Sequence, residues 1–233
     1  MGLQGEKLQE AEITAAGVVG DHVYVVKDVQ TGAILDPKSH PYSWGETSAL
    51  SRLIEFRSEL VGLSPAEDGL RLTLPDGGTV EGTAEELGRA LGEVLSRHVQ
   101  VTKYPRIVES RVASGRTLHL LTSASLKTIN RFYPSGLFDV RRFRPNIFVE
   151  SLSEEGFVEE EWLGRAVAIG GSALVRVEKP NIRCVVTTLR QGALPEDKGI
   201  LESVDRNNGK RLGVMCTVTT GGHVKVGDLL NLV

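Results

Sequence analysis

Short apolar or β-branched runs, each closed by a glycine turn, recur along most of the 233 residues, and this constrains the fold more than any other feature. His22-Val23-Tyr24-Val25-Val26-Lys27-Asp28 returns through Val29-Gln30-Thr31-Gly32 to Ala33-Ile34-Leu35, a hairpin with glycine where φ > 0 is needed. Leu70 to Leu74 alternates strictly and turns back through Pro75-Asp76-Gly77-Gly78 into Thr79-Val80-Glu81. Gly164–Ile169 and Ser172–Val177 flank Gly170-Gly171 as a third hairpin, and Leu212–Val218, His223–Val226 and Leu229–Val233 close the chain as strands. The expected fold class is therefore mainly β with a few helices, barrel-like or sandwich-like rather than a doubly wound sheet.

The helices stand out against that background. Thr83-Ala84-Glu85-Glu86 reads as a capping box, and Leu87, Leu91, Val94 and Leu95 follow at helical spacing up to Arg97. Leu118-His119-Leu120-Leu121 reads as a buried strand, after which Leu126, Ile129 and Phe132 continue at helical spacing. Ser48–Val61 mixes apolar positions at helical and at strand spacing, and Leu53, Ile54 and Phe56 belong to a core in either case. Two prolines break the pattern over Asp36–Pro41. Tyr104–Arg116 is polar and irregular and reads as a link between an N-terminal β domain, 1–103, and a second domain, 104–233. Gln191–Gly209 is polar and turn-rich and reads as a long surface excursion, a candidate lid.

A hydrophobic content of 40% at this length supports a core without disulfides. Cys184 and Cys216 lie far apart and outside any C-x-x-C spacing, which argues against a structural zinc site and fits a reducing cytoplasm. No apolar run approaches a membrane span, and a net charge of −3 offers no basic field for nucleic acid. A membrane and a nucleic acid are thus both unexpected as partners.

Three stretches could carry chemistry. In Lys179–Thr188 a Pro-Asn turn is expected to feed a strand starting near Ile182, with Cys184 at its mouth; Arg183 beside it favours thiolate over thiol. On spacing alone, a packed cysteine acting as a small hydrophobe is the better account. Cys216, in an apolar run without a neighbouring arginine, reads as a core thiol. Thr122-Ser123-Ala124-Ser125 clusters hydroxyls at a helix start, which ordinary capping explains and an anion would also suit. In Arg141-Arg142-Phe143-Arg144-Pro145-Asn146 the charges could form a solvated rim, or Arg144 could grip an oxyanion while Asn146 reads a heterocycle edge.

Taken together, Leu121–Leu126, Arg142–Ile147, Arg183–Thr188 and Val224–Asp228 resemble, in order and spacing, the MOSC family, named for the C-terminal domain of molybdenum-cofactor sulfurases and including the mitochondrial amidoxime-reducing component. Gly20-Asp21-His22 through His40-Pro41 resembles the β domain that precedes it in the family. The resemblance implies a β-barrel-like architecture in which Cys184 supplies a thiolate to molybdenum. Arg144, Asn146 and Arg183 hold the molybdenum cofactor (molybdopterin), and the turn of Thr122, Ser123 and Ser125 packs around it. It further implies reduction of small N-hydroxylated or N-oxide substrates with electrons from a separate electron-donor protein. A persulfide or cofactor carrier, or a cofactor-free barrel with other small-molecule chemistry, are the alternatives. They stay open because Met1–Gln9 holds no counterpart of the family's Tyr-Pro-x-Lys-Ser-like segment and His22 stands where many relatives have arginine.

Overall fold

The computed structural model describes residues 3–35, 51–61, 69–103, 117–153 and 155–233. The proline break at Asp36–Pro41, the start of Ser48–Val61 and the link at Tyr104–Arg116 lie outside the described residues. In chain order the elements are β1 (Glu10–Thr14), β2 (Gly17–Val18), β3 (Tyr24–Asp28), β4 (Arg57–Leu60), β5 (Leu70–Thr73), β6 (Thr79–Gly82), α1 (Ala84–Leu95), β7 (Val99–Lys103) and β8 (Leu118–Thr122). They continue with α2 (Ser123–Phe132), α3 (Val140–Phe143), β9 (Ile147–Val149), β10 (Ala166–Ile169), β11 (Ala173–Ile182), α4 (Gly199–Asn208), β12 (Arg211–Thr220), β13 (Gly222–Lys225) and β14 (Leu230–Leu232). The chain is mainly β, as its glycine-punctuated pattern implies.

Two compact units share the chain. One comprises the described residues of Met1–Glu6, His22–Ile107 and Leu189–Glu196. In it β3 pairs antiparallel with β7, and β5 pairs with both β4 and β6. Helix α1 begins where expected: the Thr83 side chain accepts from the Glu86 backbone, and the Glu86 carboxylate accepts from the Thr83 N–H at 2.8 Å. Its Leu87, Leu91 and Leu95 join Tyr24, Val26, Phe56, Leu70 and Leu72 in one apolar core.

The other unit comprises the described residues of Lys7–Asp21, Val108–Thr188 and Asp197–Val233. Its main sheet has the order β14-β10-β11-β12-β8-β9 and curls into a half-barrel. Only the β8–β9 pair in that sheet is parallel, because α2 and α3 carry the chain from one to the other. A smaller sheet, β13-β1-β2, completes the unit. One cluster gathers the inner face of the main sheet around Leu118, Leu120, Val175, Val177, Val214 and Cys216, and a second packs Ile129, Phe143, Ile200 and Val204 against Leu121 and Leu212. No helix among the described residues is long and apolar enough to cross a membrane.

Three local expectations are corrected. Lys179-Pro180-Asn181 is not a turn: β11 runs through it to Ile182, and the register shifts on either side of Pro180. Proline fits a strand at such irregularities, where no ladder hydrogen bond is demanded of it. Val185–Thr188, β-branched throughout, forms a 3-10 turn instead of a strand. Gln191–Gly209 is not one irregular excursion, since α4 occupies Gly199–Asn208 and buries Ile200, Ser203, Val204 and Asn208.

Candidate functional site

Four neighbouring strands bring the chemistry-bearing residues together at one end of the half-barrel. β12 lies between β11 and β8, and β9 flanks β8 on its other side. Arg183 follows the last residue of β11, and its N–H donates to the Lys210 carbonyl at 2.7 Å, just before β12 begins. Arg144 and Asn146 immediately precede β9. Asn146 is tied to His119 of β8 in both directions: its N–H donates to the His119 carbonyl at 2.8 Å, and its Oδ1 accepts the His119 N–H at 2.9 Å. Its Nδ2 donates to Asp21 Oδ2 at 3.0 Å. Asn146 thereby fixes where the preceding residues sit. Arg144 ends α3 with φ 53°, a conformation sparsely populated by residues other than glycine and found preferentially at functional sites.

His119 is the residue that sequence reasoning missed. It is buried in β8, with the Arg144 carbonyl 3.3 Å from Nδ1 and Arg183 Nη1 3.4 Å from Nε2. A guanidinium has no lone pair to offer, so Nε2 is the acceptor and the proton sits on Nδ1, donated to the Arg144 carbonyl. Burial, followed by the charge of Arg183, drives the imidazole pKa down to about 3, while the carbonyls of Arg144, Leu212 and Phe143 pull the other way. The ring is neutral at physiological pH. A lone histidine in an apolar strand carries no motif that would have revealed this.

Arg183 makes its remaining bonds to uncharged partners as well. Nη2 donates to the Phe143 carbonyl at 2.7 Å, and the guanidinium lies 5.4 Å from the centre of the Phe143 ring. Its Nε is buried and has no partner among the described residues. Burial lowers its pKa to about 10, with Cys184 opposing that shift and Arg144 adding to it. Cys184 is partly exposed and heads the 3-10 turn, where its carbonyl accepts from the Thr187 N–H at 3.1 Å and from Thr187 Oγ1 at 3.0 Å. Arg142, fully buried, braces that turn by donating from Nη1 to the Thr187 carbonyl at 3.1 Å. Cys216 differs in every respect: it is buried in β12, and desolvation pushes its thiol up to about 12.

The hydroxyl cluster gathers elsewhere, around a glutamate. Thr122 caps α2 by accepting the Ser125 N–H at 3.2 Å, while Thr122 Oγ1 and Ser125 Oγ each donate to Glu159 Oε2 at 2.6 Å. Ser123 Oγ accepts the Ser151 N–H at 2.9 Å. The acidic group at this helix start is therefore Glu159, fully buried, whose pKa burial raises against those two hydroxyl bonds. Within Glu159-Glu160-Glu161 the sequence gives no sign that one residue points inward.

The His119 shift has a consequence for stability. An unfolded histidine takes up its proton near pH 6.5, but the folded ring stays neutral down to about pH 3. Over that interval the unfolded chain binds more protons, so stability falls as pH falls, by about 3 kcal/mol at pH 4. His119→Gln removes this slope. Denaturant unfolding of both proteins at pH 7 and pH 4 is expected to show the wild type losing about 3 kcal/mol more than the variant. Asp28, Glu86 and Asp139, whose pKa values are lowered, contribute equally to both. Parallel losses in the two proteins would mean that the ring is open to solvent and titrates as it does in the unfolded chain.

Comparison with known proteins places this part of the chain in a family. Residues 108–231 match the MOSC domain. Similar solved structures include YiiM from Geobacillus stearothermophilus, at 21% identity over 51% of this chain and 55% of that one with a TM-score of 0.37. YiiM from Escherichia coli is also 21% identical, over 51% and 54% of the two chains, with a TM-score of 0.35. The chain thus spans about half the length of the YiiM structures it matches. No curated protein matches it. The MOSC match covers every residue of the Arg144, Asn146, Arg183 and Cys184 constellation as well as His119, and the chain belongs to the MOSC domain family.

Proposed function

We propose that the protein binds the molybdenum cofactor through Cys184 and reduces small N-hydroxylated or N-oxide compounds, with electrons supplied by a separate protein. One observation carries this reading: beside a partly exposed thiol, the Arg183 guanidinium is bonded, among the described residues, to uncharged acceptors, so no carboxylate among them neutralises its positive charge. A phosphate-bearing, thiolate-ligated group suits such a place, because the soft sulfur matches the metal and the cation matches the phosphate. The residues present therefore fit the cofactor.

In this reading Cys184 is the metal ligand, and Arg144, Asn146 and Arg183 hold the organic part of the cofactor. Asn146 acts largely by fixing the loop that carries Arg144, since its amide already serves His119 and Asp21. Thr122, Ser123 and Ser125 contribute the shape of their turn, because their hydroxyls are engaged with Glu159 and the Ser151 backbone. When bound, the cofactor supplies two-electron reduction of the substrate N–O bond. The chain itself orients that group, shields it from water and holds positive charge beside the thiol.

Elemental analysis of protein from a cofactor-producing host tests the reading. About one molybdenum per chain is expected, retained by Cys216→Ser and lost in Cys184→Ser. In metal-free protein under limiting alkylating reagent, Cys184 is expected to be labelled well before Cys216, whose buried thiol with a pKa of about 12 stays protonated. Undiminished molybdenum in Cys184→Ser overturns the assignment. Selective labelling of Cys184 without molybdenum in the wild type moves the protein to the sulfur-carrier class.

A further inference from the structure

We infer that His119, as its neutral Nδ1–H tautomer, is the positioning residue that aims the Arg183 guanidinium while leaving its charge intact. The inference rests on the reading of Cys184 and Arg183 as one site. Arg183 must be held in place to act on anything beside Cys184, and a buried guanidinium is most simply held by a carboxylate. A carboxylate would also cancel its charge. The structure uses instead an uncharged acceptor, His119 Nε2, together with the Phe143 carbonyl.

The rest of the surroundings fix that acceptor. The Arg144 carbonyl takes the Nδ1 proton, so the lone pair is left on Nε2, facing Arg183. The His119 backbone is pinned by both Asn146 bonds on the β9 side. On the β12 side Gly213 presents no Cβ, and any Cβ there would overlap Nε2. One imidazole thus joins the carbonyl of one arginine to the side chain of the other. The downward shift of its pKa follows from burial first and from the adjacent Arg183 guanidinium second, so the ring stays neutral beside that charge.

Two measurements on the full chain test this without any cofactor. The first is nitrogen NMR of the histidine rings at pH 7, where His119 is expected as a neutral ring protonated on Nδ1. A ring protonated on Nε2, or on both nitrogens, overturns the inference. The second compares alkylation of Cys184 by iodoacetate and by iodoacetamide. The ratio of the two rates cancels thiol accessibility and thiolate fraction, which both reagents share, and reports the local charge near the sulfur. A purely structural role for His119 would not move that ratio.

The anionic reagent is expected to gain severalfold over the neutral one in the wild type, relative to a small free thiol. His119→Gln, which keeps an uncharged acceptor, is expected to retain that preference, and His119→Leu to lose it. An unchanged ratio in His119→Leu overturns the inference even with molybdenum bound as proposed. If Cys184 takes neither reagent, the reading of Cys184 as the reactive thiol falls and the inference, which rests on it, falls with it.

Discussion

Gly213→Ala is expected to destabilise the protein by about 2–5 kcal/mol, although it adds a single methyl group. Gly213 has φ +80°, where an L side chain costs about 1–2 kcal/mol in backbone strain alone. The added Cβ would also overlap His119 Nε2 and stand 2.8 Å from the Leu120 carbonyl oxygen. Neither neighbour can give way cheaply. Leu120 is registered against Val214 on one side and Ile147 on the other, and His119 is bonded through backbone and ring. Overpacking of that kind adds about 1–3 kcal/mol. Gly209 supplies the control, because it also has a positive φ, +56°, but nothing lies within 4 Å of where its Cβ would be. Gly209→Ala should therefore cost only the strain, about 1–2 kcal/mol. Chemical denaturation of the two variants separates the contributions. Equal losses would mean that β12 and His119 do not approach as closely as the bonding around them demands.

Where the signal was local, the sequence was legible. The capping box at Thr83 and Glu86, the glycine turns at Gly77 and Gly170, and the buried Leu118–Thr122 strand running into a capped helix all depend on neighbours a few residues away. The errors fall where distant partners decide. Val185–Thr188 has strand propensity, but Thr187 is drawn into a tight turn by the Cys184 carbonyl on one side and Arg142 on the other. Helix α4 was hidden because Lys198 makes no side-chain cap and glycine opens the first turn; what marks it is Asp197 accepting the Gly199 N–H, the spacing of Ile200, Ser203, Val204 and Asn208, and the left-handed Gly209 at its end. Arg144, Asn146 and Cys184 could be grouped only through the family resemblance. His119 and Glu159 could not be found that way: one is a lone polar residue in a strand already read as buried, the other one acid in a run of three within the 3-10 turn Val158–Trp162, and the partners that give each its role are distant in sequence.

Arg142→Met is expected to cost about 3–5 kcal/mol, while Arg141→Ala, one residue away, costs no more than about 1 kcal/mol. Sequence alone treats the two as members of one basic cluster. In the fold Arg141 is exposed and pairs with Asp139 at 2.7 Å, an arrangement that solvent screens. Arg142 is fully buried, with Nε donating to the Leu137 carbonyl at 2.9 Å and Nη1 to the Thr187 carbonyl at 3.1 Å. Burial lowers its pKa, and the charges of Asp197 and Asp139 oppose that shift. Methionine fills much of the volume but donates nothing, so the Leu137 and Thr187 carbonyls lose their donor and Asp197 loses a charge that compensates it. The loss reaches the site as well. Thr187 carries both bonds that clamp the Cys184 carbonyl, so releasing its own carbonyl loosens the turn bearing the thiol. In Arg142→Met, under conditions where the protein remains folded, alkylation of Cys184 is therefore expected to lose its wild-type rate while Cys216 stays unlabelled. Denaturation midpoints that coincide for Arg142→Met and Arg141→Ala would show that the buried guanidinium carries no more of the fold than its exposed neighbour.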